Sequence, residues 1–214
     1  MFREQIPRLE TDEGLLRAAV AIAAHEMDSA DPDQVANQIA WLADRVASRA
    51  GSRSTSAVAA HLHDVLFAEE GFAGNTDDYY NPRNSYLPAV LETKRGIPIS
   101  LALVYKSVAA QAGLTVEGVG APGHFLVRAY LDGAWTLVDP FYGGRLLSRA
   151  EAIDFLTQVL GARPPDEDEL FAPVSHRMWL WRMLQNLQLI FGRTGRHDDQ
   201  AAMRELAGLL QPLR

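Results

Sequence analysis

The chain has 214 residues, of which 48% are hydrophobic and 22% charged, with no cysteine and a formal net charge of -7. This size suits one domain or a core with a small appendage. The lack of cysteine excludes disulfides, zinc ribbons and iron–sulfur clusters. The acidic charge argues against nonspecific nucleic-acid binding, and no apolar run approaches the ~20 residues that span a bilayer. We expect a cytoplasmic protein with no cofactor, no nucleic-acid partner and no membrane partner, and its oligomeric state stays open.

The N-terminal region, residues 1–70, has helical periodicity. The first helix follows the acidic pair that begins at Asp12, and apolar residues recur at helical spacing after it. The second helix has a clear start, with Asp31 as N-cap and Pro32 in the first turn. A third helix is predicted over about residues 54–68. This region therefore forms a helical front to the rest of the chain.

Residues 71–163 combine helices with strands and are predicted to form an α+β core. A turn-rich aromatic segment, residues 71–82, reads as an ordered loop. Asn84 is placed to cap a short helix that follows it. A largely apolar segment that begins at Pro98 predicts a buried helix. The predicted elements are helices over 85–93 and 98–112 and strands over 116–119, 125–131 and 134–138.

The C-terminal region, residues 164–214, is predicted to be a linker followed by a helical hairpin. Residues 164–169 are prolines and acids, which is typical of a solvated connection. The segment 178–212 reads as two helices separated by the glycines around residues 192–195. An aromatic–methionine stripe is predicted to pack these helices onto the core; it consists of Met178, Trp179, Trp181 and Met183.

A histidine and an aspartate fall together on the predicted sheet. Asp132-Gly133 is a strong signal for a two-residue hairpin turn. If residue 131 pairs with residue 134, the two residue numbers of every pair on the hairpin add up to 265. His124 and Asp139, whose numbers add up to 263, are then diagonal neighbours on one face of the sheet, with their backbones roughly 7 Å apart. A carboxylate at that range fixes the tautomer of an imidazole and raises its basicity. The alternative is that His124 only packs and Asp139 only caps the turn at Pro140.

The chain resembles the SirB1 family, a branch of the transglutaminase-like superfamily with a papain-like fold. The resemblance implies a transglutaminase-like core, often continued by tetratricopeptide-type helices, of which only about one pair is present here. It covers more than a third of the chain and rests on long segments that are specific together: residues 71–75, 80–87, 95–101, 118–128 and 138–141.

The resemblance also shows what this chain lacks. In catalytic members a Gly-x-Cys opens the central helix, and the cysteine attacks an acyl group. On this chain that position reads Gly96-Ile97-Pro98, so Pro98 stands where the nucleophile would be. The superfamily's histidine and aspartate correspond to His124 and Asp139, in agreement with the hairpin arithmetic. Two of the three catalytic roles are therefore kept by resemblance.

Ser100 is the candidate substitute for the missing nucleophile. It lies two residues after Pro98, about 200° around a helix. If both residues are helical, Ser100 points away from the cysteine position; if the helix begins later, its hydroxyl could reach His124. A serine in a first turn is also an ordinary helix-start residue.

Other polar residues offer weaker functional hypotheses. His61, His63 and Asp64 suggest a metal site, although residues two apart on a helix point to different faces, and we assign no metal. Arg128 shares the sheet face of His124, where it could bind a carboxylate, pair with Asp139 or form a salt bridge at the edge of the core. The acidic pair 77–78 could line a cleft or be solvated.

Three functions follow as alternatives. The first is a pseudoenzyme that binds a protein or peptide segment in the former active-site cleft. The second is a hydrolase or acyltransferase acting on peptide-like amides or esters, with His124 as base, Asp139 as its orienting group and Ser100 or water as nucleophile. The third is a structural role in a larger complex, carried by the C-terminal helices.

Overall fold

The computed structural model describes residues 1–51, 54–164 and 169–210, and it shows an α+β fold. Helices surround a four-stranded antiparallel sheet. The α-helices are α1 (Phe2–Gln5), α2 (Asp12–Ala23), α3 (Pro32–Ala47), α4 (Thr55–His63), α5 (Leu87–Thr93), α6 (Pro98–Gln111), α7 (Arg149–Leu160), α8 (His176–Arg193) and α9 (His197–Gly208). The strands are β1 (Ala73–Gly74), β2 (Arg95–Gly96), β3 (Val116–Val119), β4 (Leu126–Leu131), β5 (Ala134–Asp139) and β6 (Arg145–Leu147). Single 3-10 turns occupy Ile6–Arg8, Pro82–Ser85 and Pro140–Tyr142, and a π-helical segment, Asp64–Glu69, extends α4.

Helix starts in the N-terminal region follow from side-chain caps. The Asp31 carboxylate accepts a hydrogen bond from the backbone N–H of Asp33 and so begins α3, as predicted. Ser54 caps α4 in the same way through the N–H of Ala57. These caps satisfy backbone groups that the first helical turn leaves without partners.

The main sheet has the strand order β3-β4-β5-β6. The predicted hairpin register is confirmed, because Leu131 pairs with Ala134 and Val127 with Val138. Asp132 and Gly133 both have positive φ, 45° and 96°, which a tight two-residue turn requires. Strand β6 was not predicted, because a three-residue strand has too few positions to show alternation.

The core lies on both faces of this sheet. On one face, Val127 and Val138 pack with α6, which is buried along most of its length. On the other face, Leu126 and Leu137 pack against α7. Helix α7 was not predicted either, although Ser148 and Glu151 form a capping box at its start. That Ser-x-x-Glu spacing could have found the helix.

Helix α8 joins the main core rather than standing apart from it. Trp179 and Met183 are fully buried, as predicted. The prediction is wrong for Trp181 and Met178, which are 36% and 45% exposed, because the 3.6-residue period turns them to the outer face of α8. In the linker predicted over 164–169, residues 165–168 lie outside the described residues. Across the described part of the chain, no helix combines the length and apolar character that a membrane crossing requires.

Candidate functional site

The centre of the candidate site is a hydrogen bond between His124 and Asp139. The imidazole Nε2 lies 2.8 Å from Oδ2 of Asp139, and both side chains are buried. An ionised carboxylate only accepts hydrogen bonds, so Nε2 is the donor and carries the proton. Nδ1 has no hydrogen-bond partner among the described residues. The ring is therefore held in the tautomer that leaves Nδ1 free to accept a proton.

Asp139 also caps a backbone turn besides orienting His124. Its Oδ1 accepts hydrogen bonds from the backbone N–H groups of Phe141 at 3.0 Å and of Tyr142 at 3.4 Å. The carboxylate thus caps the 3-10 turn after β5 while it holds the imidazole. The two alternatives stated for Asp139 coexist, and the turn fixes the carboxylate in place.

Three aromatic rings contact the imidazole of His124. Phe155 on α7 makes an edge contact, with ring centroids 5.0 Å apart, and Tyr142 stacks at 6.1 Å with its ring plane inclined by 30°. Phe141 makes a second edge contact at 6.0 Å. These ring contacts and the bond to Asp139 together hold the imidazole in one orientation in this structure.

A cavity of about 350 Å³ opens beside His124. Its walls come from four parts of the chain: the aromatic loop, the start of α6, the approach to β4 and one face of α8. We call this cavity the cleft, and it is lined by Tyr79, Tyr80, Pro98, Ile99, Gly123, His124, Phe125, Arg182, Asn186 and Leu189.

Buried Asn84 holds the aromatic loop against the cleft. Its side-chain amide donates to the backbone carbonyls of Asp78 at 2.7 Å and of Tyr79 at 3.2 Å, and its Oδ1 accepts from the amide of Asn75. The predicted role of Asn84 as a helix cap is wrong, because Asn81 caps the 3-10 turn that includes residue 84 and α5 begins only at Leu87. Asn84 instead places Tyr79 and its neighbour at the wall.

Pro98 occupies the position that the family resemblance assigns to the nucleophile. Ile97 is the extended N-cap residue of α6, and Pro98 is the first helical residue. A proline fits there because the first helical N–H has no partner within the helix. Pro98 and His124 line the same cleft. The nucleophile position in this cleft therefore holds a pyrrolidine ring instead of a thiol or hydroxyl.

The structure does not bring Ser100 into this site. Helix α6 already begins at Pro98, so Ser100 is helical and turned away from the cleft, where it is fully buried. Its hydroxyl donates to the carbonyl of Asn84 at 2.6 Å and accepts from the N–H of Ile97 at 3.1 Å. This geometry contradicts Ser100 as the nucleophile and makes it a helix-start residue.

The remaining polar candidates also lie outside the cleft. The Arg128 guanidinium bonds Glu117 at 2.7 Å and not Asp139, so the edge salt bridge is the correct alternative. His63 bonds the hydroxyl of Tyr105 at 2.9 Å. Within the described ranges, His61, His63 and Asp64 belong to no group of three potential metal ligands. The acidic pair 77–78 does not line the cleft, although the tyrosines that follow it do.

Helix α8 supplies a wall of the cleft that was not predicted from the sequence. Arg182, Asn186 and Leu189 follow an i, i+4, i+7 spacing, which places them on one helix face. The glycines before His124 admit this helix: a Cβ on Gly118 would overlap the Trp179 ring, and one on Gly120 would overlap the Arg182 guanidinium. The polar residues Arg182 and Asn186 indicate a helix face outside the apolar core, but their spacing does not indicate which element that face meets.

Tyr79 is the ionisable hydroxyl most enclosed by the cleft wall. Burial raises its pKa above the usual tyrosine value, and the nearby Tyr80 and Tyr142 hydroxyls raise it further. Its phenol therefore stays protonated at neutral pH and is a poor nucleophile. The described lining residues include no serine, threonine, cysteine or lysine.

Comparison with known proteins places this arrangement in a family. The family model described as "Transglutaminase-like superfamily" matches residues 33–185, which is most of the chain. The match includes the aromatic loop, α6, His124, Asp139 and most of α8. No solved structure matches the chain.

Curated relatives come from bacteria and mammals. A UPF0162 protein of Xylella fastidiosa is 41% identical over 145 residues, which is 66% of this chain and 52% of the relative. A UPF0162 protein of Pseudomonas aeruginosa is 26% identical over 92% of this chain and 71% of its own. F-box only protein 21 of Mus musculus is 33% identical over 67% of this chain and 23% of its own. The chain spans about half the length of the Xylella relative.

Proposed function

This chain belongs to the transglutaminase-like superfamily, and from that premise we propose that it is a non-catalytic domain that binds a protein or peptide segment in the cleft. The observation that supports this proposal is that Pro98 and His124 line the same cavity. The histidine and its aspartate are in place, but the side chain they would activate is absent. We include a cytoplasmic location in this proposal, which the lack of cysteine fits.

The cleft has the composition of a small binding site. Its volume of about 350 Å³ is within the range of ligand pockets, which begins near ~300 Å³. Tyr79 and Tyr80 offer aromatic faces, and Asn186 offers an amide with no hydrogen-bond partner among the described residues. Apolar contacts with a few well-placed polar groups are typical of peptide recognition.

The retained His–Asp pair has a structural reason to persist without catalysis. Asp139 caps the turn after β5, and His124 fills the space among Phe141, Tyr142 and Phe155. Loss of His124 would leave one buried carboxylate oxygen without its donor, which costs about 1–3 kcal/mol. Packing alone can therefore account for the pair.

Peptide selection tests the proposal. Two random seven-residue libraries would be screened on the full chain, one with free C-termini and one with C-termini fused to a carrier. Enriched peptides are then synthesised and measured by fluorescence polarisation. We expect binding to survive His124→Gln, which keeps a donor for Asp139, and to be lost in Asn186→Trp, which fills the cleft. Failure of both libraries to enrich any peptide, or binding unaffected by Asn186→Trp, would contradict the proposal.

A second function is favoured by one observation, the unpartnered Nδ1 of His124. An oriented imidazole with a free nitrogen can deprotonate a water molecule, so hydrolysis of an amide or ester by water is the alternative. It predicts a substrate-dependent rate that falls at least ~100-fold in His124→Gln, since a positioned base contributes about that much. A screen of fluorogenic esters and peptide amides on both proteins decides it: equal rates leave only the binding function.

A further inference from the structure

Arg182 lies in the cleft wall in a fixed position. Its Nη2 donates to the backbone carbonyls of Ala121 at 2.9 Å and of His124 at 3.2 Å. The guanidinium carbon also lies 5.3 Å from the centre of the Phe125 ring. Three contacts from the segment that carries His124 thus hold the guanidinium before any ligand binds. Nε and Nη1 keep N–H groups that these bonds do not use.

No carboxylate neutralises this guanidinium within the described residues. The cleft lining contains no aspartate or glutamate, and Arg182 forms no ion pair there. A half-buried positive charge is costly unless an anion accompanies it. By contrast, carboxylates within 4.0 Å accompany Arg17, Arg45, Arg49, Arg83, Arg128, Arg145 and Arg196.

Arg177, on the same helix, also has no carboxylate partner among the described residues, but its positive charge is stabilised in another way. It donates to the carbonyl of Leu210 at 2.8 Å, just beyond the C-terminal end of α9. The C-terminal end of a helix carries a partial negative charge that stabilises a cation. Arg182 has no helix C-terminus beside it, since its two carbonyl partners lie in the turn before β4.

A second cation adds to the positive potential of the cleft. Arg193, at the end of α8, lies 4.5 Å from the centre of the Tyr80 ring, and Tyr80 lines the cleft. Arg193 also forms no ion pair within the described ranges. The whole chain has a net charge of -7, whereas this cavity is lined by one arginine and no acid, with a second arginine against one of its tyrosines. The charge beside the cleft is therefore opposite in sign to the net charge of the chain.

We infer that the cleft holds the C-terminal carboxylate of a bound peptide, with Arg182 as its charged partner. This inference rests on the proposed binding function. Asn186, one helical turn from Arg182, is placed to bind the last peptide group, and Leu189 with Ile99 offers apolar contact to the last side chain. The small volume of the cleft suits the end of a peptide better than an internal peptide segment, which would have to both enter and leave the cleft. Guanidinium N–H groups match a carboxylate in shape and charge.

The test compares each enriched peptide as its free acid and as its C-terminal amide. On the wild-type chain we expect the amide to bind at least tenfold more weakly, since a hydrogen bond to a charged group contributes that much. Arg182→Gln should weaken the acid by the same factor and leave the amide unchanged. Arg177→Gln is the matched control, and it should leave both affinities within about twofold.

Other outcomes separate this inference from the binding function. If acid and amide bind equally, or if Arg182→Gln changes neither, the carboxylate assignment is overturned while cleft binding stands. If amides bind only when they contain a glutamate or aspartate, and Arg182→Gln removes that binding, the chain-end assignment is overturned in favour of an acidic side chain. If no peptide of either library binds, both proposals fail. Thermal melting of each variant checks that it is folded.

Discussion

Replacing Ser100 with alanine tests whether this serine is a structural residue or a nucleophile. The hydroxyl makes one donated and one accepted hydrogen bond in the core, to the Asn84 carbonyl and from the Ile97 N–H. Each contributes about 1 kcal/mol, and the better helix propensity of alanine returns about 0.5 kcal/mol, so the free energy of unfolding should fall by roughly 1.5 kcal/mol. For a chain of this size that lowers Tm by about 3–6 °C.

The assay is urea unfolding followed by circular dichroism, with Ser107→Ala as the matched control. Ser107 is on the same helix and is also buried, but it has no hydrogen bond among the described residues. Its replacement should change the free energy of unfolding by less than about 0.5 kcal/mol. Equal stabilities of the two variants would show that the hydroxyl of Ser100 is not a structural group.

Labelling with a serine-reactive fluorophosphonate, mapped by mass spectrometry, completes this experiment. We expect no adduct on Ser100, because its hydroxyl is fully buried and lies outside the cleft. An adduct on Ser100 that disappears in His124→Gln would refute the structural assignment and would establish a working serine–histidine pair.

Two further predictions concern stability. Trp179→Ala should lower the free energy of unfolding by about 3–5 kcal/mol because the ring is fully buried, whereas Trp181→Ala should cost less than about 1 kcal/mol; equal costs in urea unfolding would contradict the placement of α8. Burial lowers the pKa of His63 below its usual value, an effect that the Asp64 charge partly offsets. The stability linked to His63 is therefore complete above the unfolded pKa of about 6.5 and is lost as pH falls through the lower folded pKa. Between about pH 7 and pH 5 the wild-type chain should lose more stability than His63→Gln, which keeps a donor toward Tyr105; parallel pH profiles would exclude this coupling.

Much of the candidate site could be predicted from local sequence signals. The Asp132-Gly133 turn fixes the register of β4 and β5, and the register brings His124 close to Asp139. Both steps depend on residues within 15 positions of each other. The N-cap of α3 at Asp31 was equally readable, since a cap and its partner lie two or three residues apart.

The wall formed by α8 could not be predicted in this way. Arg182 lies 58 positions from His124 along the chain, yet it bonds the His124 carbonyl. No periodicity within α8 reveals which element will face its polar stripe. The glycines at 118 and 120 are close-packing positions for side chains of α8, which only the packed structure reveals.

The sequence by itself determined what chemistry is absent and what skeleton is present. With no cysteine and with Pro98 at the helix start, the chain lacks the superfamily's nucleophile, and the hairpin places an imidazole beside a carboxylate. Only the tertiary structure decided that Ser100 is turned into the core and that an arginine without a carboxylate partner in the described residues lines the cleft. The reason is physical: turn and cap signals act within a few residues, whereas the environment of a side chain is set by elements that pack from distant parts of the chain.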